Sequence, residues 1–242
     1  MKSYGICPAS CGEFVQGMIK EKEYLSSYAI NRFSKVTLEE KISDVNRGPL
    51  KARKAMEEVF RYFNLPKNDL KNISIDIKSE IPISKGMASS TADIGATIRA
   101  TLNLIGRDLS EYDISKLATK IEPTDSIYLK ENTIFNPLDA SVVKKLGCFN
   151  TGKVLILEPN DKLSTKHIRK KENYTKLKWQ NKYIIEYAFK LLDQGIKNND
   201  LNLIGQACNI SSVANENIHK KKYLSEIMDI SKEYGACGVN IA

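Results

Sequence analysis

The stretch Ile81-Pro82-Ile83-Ser84-Lys85-Gly86-Met87-Ala88-Ser89-Ser90-Thr91-Ala92 decides the fold, because it is a loop rich in small residues that leads into a helical pattern ending at Gly106. Before this loop, Ile73, Ile75 and Ile77 alternate with polar residues, and a period of two is typical of a half-buried strand. The sequence therefore predicts a strand, a loop and a helix in that order.

The loop has the composition of an anion-binding turn. Gly86 permits tight backbone geometry, and Ser89, Ser90 and Thr91 place three hydroxyl groups in a row. The N-terminus of the helix that follows carries unpaired N–H groups and about half a positive charge. These features favour a nucleotide phosphate as the ligand. The same hydroxyl residues are also ordinary helix N-caps, so both interpretations stay open at this point.

The order of residues in this loop resembles the phosphate-binding motif of the GHMP small-molecule kinases, the superfamily of galactokinase, homoserine kinase and mevalonate kinase. The shared order is a proline, three residues, a glycine, a large apolar residue, a small residue, Ser-Ser, one residue and an alanine. The chain contains no Walker A motif. The resemblance implies that ATP is bound by Lys85, Gly86, Met87, Ala88, Ser89, Ser90 and Thr91.

Two further segments are similar to one branch of this superfamily, the L-threonine kinases of cobalamin synthesis. They are Cys7-Pro8-Ala9-Ser10-Cys11-Gly12-Glu13-Phe14-Val15-Gln16-Gly17 and Glu122-Pro123-Thr124-Asp125-Ser126, and Asn31-Arg32-Phe33-Ser34 also resembles that branch. The resemblance implies ATP-dependent phosphorylation of the L-threonine hydroxyl to O-phospho-L-threonine, a precursor of the aminopropanol linker of cobalamin. Another small acceptor such as homoserine, or an inactive nucleotide-binding remnant, stays an alternative.

The resemblance also implies catalytic and metal-binding roles. Asp125 would orient or deprotonate the acceptor hydroxyl, with a turn or N-cap residue as the other interpretation. Mg²⁺ would be held mainly by the nucleotide phosphates, helped by one hydroxyl of the Ser89–Ser90 pair, here assigned to Ser90, and by the Glu122 carboxylate. The alternative for Glu122 is a surface ion pair. Lys85 would steady the β- or γ-phosphate or remain solvated.

An amino-acid acceptor needs a cation for its carboxylate and an anion for its ammonium group. Arg32 and Glu13 are the candidates, because both lie in segments that match the family; a structural role beside the phosphate loop is the alternative for Glu13. Many superfamily members carry a lysine in the opening motif that supports the catalytic aspartate. This chain has Ser10 and Cys11 there, so deprotonation is expected to be assisted differently.

The composition, 42% hydrophobic and 27% charged over 242 residues, suits one large domain or two small ones. No apolar run approaches the ~18 residues that span a bilayer, so we expect a soluble cytoplasmic protein without membrane contact. A formal charge of +8 is compatible with nucleic-acid binding. The basic runs lie between Lys162 and Lys182 and at Lys220-Lys221-Lys222, and the only aromatic residues within them are Tyr174 and Trp179. They predict a solvated surface rather than a nucleic-acid site.

The patterns predict an α+β protein, and the resemblance implies a two-part GHMP kinase fold. Residues 1–160 would form a ribosomal-protein-like α+β half that binds ATP, and residues 161–242 a ferredoxin-like, helix-rich half. Further predicted elements are a helix after Pro49, a helix after Ser110, a buried strand at Val154 to Leu157, and three helices through Tyr187, from Asp200 and from Leu224.

A last expectation concerns the C-terminal segment. GHMP kinases normally carry a third, glycine-rich motif, and the sequence stops shortly after Gly235-Ala236-Cys237-Gly238. We therefore expect a chain that is truncated at its C-terminus. The missing piece would leave an unpaired sheet edge, which a second copy could cover in a homodimer.

Overall fold

The computed structural model describes residues 1–149, 152–158, 173–218 and 220–241. The chain begins with a long antiparallel hairpin of β1 (Lys2–Ile19) and β2 (Lys22–Glu40), which turns at Lys20 with a φ of 53°. Buried and exposed residues alternate along the first part of β1, because successive side chains of a strand point to opposite faces. The hairpin is the frame on which the rest of the chain packs.

Three shorter strands complete the sheet: β3 (Ile73–Ser79), β4 (Asn132–Phe135) and β5 (Val142–Gly147). The strand order is β1-β2-β4-β5, and β3 also pairs with β2. Strand β2 therefore has two antiparallel neighbours, β4 near Leu25 and β3 from Ser34 to Glu40. The phosphate-motif loop follows β3, so the sheet delivers that loop to the middle of the hairpin.

The first core lies between this sheet and three helices, α1 (Leu50–Tyr62), α2 (Ser89–Leu104) and α3 (Glu111–Thr119), and a short 3₁₀ helix at Lys67–Asn72 leads into β3. Helix α2 packs against β1 and β2 on one side and against α1 on another. Its small and apolar residues are buried over most of its surface. The helix that carries the motif is thus fixed at the centre of the core.

The second core joins the far end of the hairpin to the C-terminal helices, which are α4 (Tyr174–Gln180), α5 (Lys182–Asn198), α6 (Leu201–Glu216) and α7 (Leu224–Glu233). Val15 and Tyr24 from the hairpin contact Ile185, Phe189 and Leu192 in this core. Helices α5 and α6 pack on each other and on β1.

The α+β class is confirmed, and so are most of the predicted elements. Helix α1 follows Pro49, and the Ser110 hydroxyl caps α3 by accepting from the Asp113 N–H at 3.1 Å. The three predicted C-terminal helices are α5, α6 and α7. The predicted buried strand at residues 154–157 is wrong, because residues 152–158 form no strand and Leu155 is 85% exposed. Only Ile156 of this run packs against the first core, and so short an apolar run does not specify a strand.

The expected domain boundary at residues 160 and 161 and most of the basic segment lie outside the described residues, and both stay predictions. In the described residues after Gly147, the regular elements are all helices, so the ferredoxin-like half also stays a prediction. Across the described parts of the chain, every helix is too short or too polar to cross a bilayer.

Gly95 provides a test of how tightly α2 packs. A Cβ at this position would lie 2.4 Å from the Tyr128 ring and 2.7 Å from Cys7 Sγ, both in the core. We expect Gly95→Ala to lower the free energy of unfolding by about 1–3 kcal/mol, since overpacking outweighs the better helix propensity of alanine. Urea unfolding measures this, with the exposed Lys190→Ala in α5 as the control expected to stay within about 0.5 kcal/mol. An unchanged stability of Gly95→Ala would contradict the packing.

Candidate active site

The phosphate-motif loop turns sharply just before α2. Ser84, Gly86 and Ala88 have positive φ values of 61°, 75° and 54°. Ala88 is the residue that precedes the helix, and its side chain provides no cap. The N-cap interpretation of Ser89 and Ser90 is therefore wrong, because both lie inside the first turn. The left-handed conformation of Ala88 costs about 1–2 kcal/mol, and backbone strain of this kind is concentrated at functional sites.

A lysine, a serine and a glutamate meet at this first turn. Lys51 Nζ lies 2.5 Å from Glu122 Oε2 and donates to Ser90 Oγ at 2.6 Å. The Ser90 hydroxyl in turn donates to Glu122 Oε1. The structure thus brings together Ser90 and Glu122, the two residues that the sequence assigns to the metal. Lys51 was missed, since a lysine in the first turn of an amphipathic helix carries no signal of its own.

Asp93, one turn further along α2, is a second carboxylate beside this cluster. The Ser34 hydroxyl donates to Asp93 Oδ1 at 2.5 Å. Burial raises the pKa of Asp93, while the Ser34 hydrogen bond and the Lys51 charge oppose that shift. The sequence analysis missed Asp93 as well, because it follows the motif and has the spacing of an ordinary helix residue.

The loop that carries Glu122 and Asp125 is attached to α2 by buried hydrogen bonds. Thr124 is 1% exposed, and its hydroxyl donates to the Tyr128 hydroxyl at 3.1 Å. Tyr128 donates in turn to the backbone oxygen of Thr91 at 2.8 Å. These hydrogen bonds therefore position the loop with Glu122 and Asp125 beside the first turns of α2.

Asp125 meets the opening motif at Ser10, whose hydroxyl donates to Asp125 Oδ2 at 3.2 Å. Strand β1 is irregular here: the register shifts between Ser10 and Glu13, and Gly12 has a φ of 75°. A bulge of this kind bends the strand and changes the direction of its side chains. Ser10 thus contacts the predicted catalytic aspartate from the motif in which a lysine would be expected.

The two predicted substrate residues lie at different points of the hairpin. Gln16 Nε2 donates to Glu13 Oε2 at 3.0 Å, which places Glu13 beside the bulge. Arg32 lies in a second irregularity, and its Nη1 donates to the backbone oxygen of Glu80 at 3.4 Å. Arg32 is therefore next to the start of the phosphate-motif loop, whereas Glu13 lies at the bulge of β1.

Lys221 is a further residue that the sequence analysis missed, because the run Lys220-Lys221-Lys222 was interpreted as solvated. Burial lowers the pKa of Lys221, and the Glu13 carboxylate acts in the opposite direction. An ammonium group thus lies within electrostatic reach of Glu13. No sequence pattern pairs these two positions, which are far apart along the chain.

The segment before residue 242 covers the bulge. Asn240 Nδ2 donates to the backbone oxygen of Cys11 at 2.7 Å, and the Tyr28 hydroxyl contacts the same oxygen at 2.7 Å and Asn240 Oδ1 at 3.0 Å. A Cβ at Gly12 would lie 2.7 Å from both Asn240 Nδ2 and the Ile241 oxygen. Only glycine fits this contact, so Gly12 permits both the positive φ and the close approach.

The cluster at α2 suits a metal that takes most of its ligands from elsewhere. Within the described residues there is no group of three or more His, Cys, Asp or Glu side chains that could hold a metal ion. Ser90 and Glu122 offer two hard oxygen donors in mutual contact, and Mg²⁺ commonly combines such donors with phosphate oxygens and water. Lys85 is the residue predicted to bind the phosphates. Its Nζ lies 3.4 Å from Glu158 Oε1, and its side chain is 17% exposed.

Comparisons with known proteins identify the family of this chain. The family model described as "GHMP kinases N terminal domain" matches residues 51–127, the range from Lys51 through Ser90 to the carboxylate loop. The L-threonine kinase of Salmonella typhimurium is 33% identical over 98% of this chain and 78% of its own length. The L-threonine kinase of Citrobacter freundii is 30% identical over 98% of this chain and 81% of its own.

The chain belongs to the GHMP kinase family. It is accordingly a small-molecule kinase. A crystal structure of mevalonate kinase aligns with this GHMP kinase at a TM-score of 0.67 and 18% identity, covering 98% of this chain and 87% of that one, which shows a shared fold.

The proximity of Glu13 and Lys221 in this GHMP kinase can be tested by titration. Because the Glu13 carboxylate raises the pKa of Lys221, Glu13→Gln should move the Lys221 midpoint to lower pH than in the unchanged protein. NMR of ¹³C-labelled lysine side chains measures the midpoint, with Glu21→Gln in the exposed hairpin turn as the matched control. A Lys221 midpoint that is the same in both variants would show that the two groups do not interact.

Proposed function

We propose that this GHMP kinase transfers the γ-phosphoryl group of ATP to the side-chain hydroxyl of L-threonine, giving O-phospho-L-threonine for the aminopropanol linker of cobalamin. One arrangement carries the proposal: Asp125 contacts Ser10 on the acceptor side, while Glu122 of the same loop contacts Ser90 in the first turn of α2. Asp125, the proposed partner of the acceptor hydroxyl, and Glu122, the proposed ligand of the phosphate-bound metal, thus lie on one loop. Phosphoryl transfer depends mainly on such positioning.

On the phosphate side, the first N–H groups of α2, which follow the turn at Gly86 and Ala88, would bind the triphosphate, and Lys85 of the same loop would add a positive charge. Ser90 and Glu122 would hold Mg²⁺, which when bound neutralises charge on the phosphate oxygens. The positive end of α2 adds to this neutralisation, because the helix is buried and its dipole is weakly screened.

On the acceptor side, Asp125 would orient the threonine hydroxyl and accept its proton. The Ser10 hydroxyl fixes the Asp125 carboxylate through Oδ2. This chain thus has a neutral hydroxyl at the contact where many superfamily members place a lysine, and Asp125 remains the proposed proton acceptor.

The zwitterionic part of L-threonine requires one negative and one positive group. Glu13 would bind the ammonium group, and Lys221, which interacts with Glu13, is suited to the carboxylate. Arg32 is the second candidate for the carboxylate. The names of the two L-threonine kinases support this acceptor, as does the match in the opening motif. The proposal further includes a cytoplasmic location. It also includes self-association as a homodimer, which light scattering measures.

A panel of acceptors tests the substrate. We expect the highest kcat/KM for ADP production with L-threonine, and lower values with L-serine and L-homoserine, because the site would recognise the hydroxyl, ammonium and carboxylate groups together. Phosphate incorporation into the amino acid, followed by mass spectrometry, identifies the product. Equal or faster turnover of L-homoserine would overturn the L-threonine assignment, and ATP binding without turnover of any acceptor would indicate a remnant.

Substitution of Asp125 tests the catalytic assignment. Asp125→Asn keeps the shape of the side chain but removes the proton acceptor, so kcat should fall on the order of 10²- to 10⁴-fold. Affinity for ATP, measured by calorimetry, should change little, since Asp125 faces the acceptor. Asp76→Asn on the exposed side of β3 is the control. A kcat for Asp125→Asn close to that of the control would exclude Asp125 as the base.

A further inference from the structure

The ammonium group of Lys51 lies where the proposed function needs a metal. Its Nζ is 2.5 Å from Glu122 Oε2 and 2.6 Å from Ser90 Oγ, the two oxygen-bearing groups assigned to Mg²⁺. The Lys51 side chain is 41% exposed and that of Glu122 only 15%. The ion pair thus joins the largely buried Glu122 carboxylate to a more exposed Lys51 side chain, which has room to move to another partner.

A metal and this ammonium group cannot occupy the same place. Mg²⁺ binds its oxygen ligands at about 2.0–2.1 Å, so an ion shared by Ser90 and Glu122 would lie within the volume that Lys51 Nζ fills. Two cations at this distance would also repel each other strongly. Entry of the metal therefore displaces the Lys51 ammonium group.

The displaced ammonium group has an anion close by. Ser90 is the second residue of α2, so Lys51 Nζ lies beside the helix end at which the phosphates would bind. The backbone of Lys51 is fixed, because Ala52 and Ala55 of the same helix are buried at 1% and 0% exposure. A flexible four-carbon side chain on a rigid base can move from the carboxylate to a phosphate without movement of the helix.

We propose that Lys51 is a phosphate-binding residue that occupies the metal position in the nucleotide-free kinase and moves to the phosphate chain when the metal and ATP bind. This inference rests on the proposed phosphoryl-transfer function of the site. Lys51 then contributes twice. It neutralises Glu122 before the ligand arrives, and it adds positive charge to the phosphates afterwards.

This exchange predicts two effects that an ordinary surface ion pair would not produce together. Without nucleotide, Lys51 competes with a divalent cation for Ser90 and Glu122, so removal of its charge should strengthen metal binding. When ATP binds without metal, the Lys51 ammonium group lies beside the first turn of α2 and adds positive charge next to the phosphates, so removal of its charge should weaken ATP binding. The two affinities change in opposite directions.

The test uses Lys51→Met, with Lys54→Met, an exposed position on the same helix, as the matched control. Electron paramagnetic resonance measures Mn²⁺ binding to the nucleotide-free protein, and calorimetry in excess EDTA measures ATP binding. We expect Lys51→Met to bind Mn²⁺ about fivefold tighter and metal-free ATP about tenfold weaker than the unchanged protein, as the loss of one charge-assisted contact implies. The control should match the unchanged protein in both.

Either change without the other, or no change in both, would overturn the proposal and leave Lys51 as a structural ion pair. Lys51→Gln, which also removes the charge, should show the same two opposite shifts and replaces the methionine variant if that fails to fold. Lys51→Arg, which keeps the charge, should retain the weak Mn²⁺ binding of the unchanged protein. Both measurements are made without turnover. A kinase that shows the two opposite shifts but phosphorylates no hydroxy amino acid would therefore refute the proposed acceptor and not the role of Lys51.

Discussion

The buried hydroxyl chain from Thr124 through Tyr128 to the backbone of Thr91 is the contact on which the site depends. It ties the loop that carries Glu122 and Asp125 to the helix that carries the phosphate motif. Burial holds the pKa of Tyr128 well above its usual range, so its hydroxyl keeps the proton that it donates. Breaking a buried hydrogen bond of this kind costs more free energy than forming it contributes, because the remaining buried group can bond neither to the protein nor to water. The loop therefore has one stable position.

The charges around α2 are balanced by a lysine. The Glu122 side chain is 15% exposed and Asp93 is half-buried, and two carboxylates so placed would repel each other. Lys51 contacts one and is within electrostatic reach of the other, so a single ammonium group reduces the charge of both. A carboxylate that is withdrawn from water is unfavourable without a cationic partner, because burial removes its solvation. In the proposed exchange, a metal cation would take over this neutralising role from Lys51.

The sequence predicted those parts of the site that a local motif encodes. The strand, the loop at Gly86 and the carboxylate pair follow from short-range patterns, and their positions agree with the structure. Lys51 and Lys221 could not be found this way, because each acts through a contact with a residue distant in sequence. The strand predicted at residues 154–157 was wrong because it also depends on a contact distant in sequence. Four apolar residues meet the local pattern of a strand, but a strand forms only where another backbone pairs with it.

The two sides of the site are built from different parts of the chain. Residues 51–127, which match the family model, contain Lys51, Ser90, Glu122 and Asp125, so the proposed phosphate side and the proposed proton acceptor come from one continuous segment. On the proposed acceptor side, the bulge at Gly12 is joined to Asn240 by a contact that spans 229 positions in sequence. Contacts of such long separation form late, since the entropy of closing a long loop opposes them. The proposed phosphate side and the proposed acceptor side thus depend on contacts of different range, because Lys51, Ser90 and Glu122 meet within one segment whereas Asn240 reaches the bulge from 229 positions away.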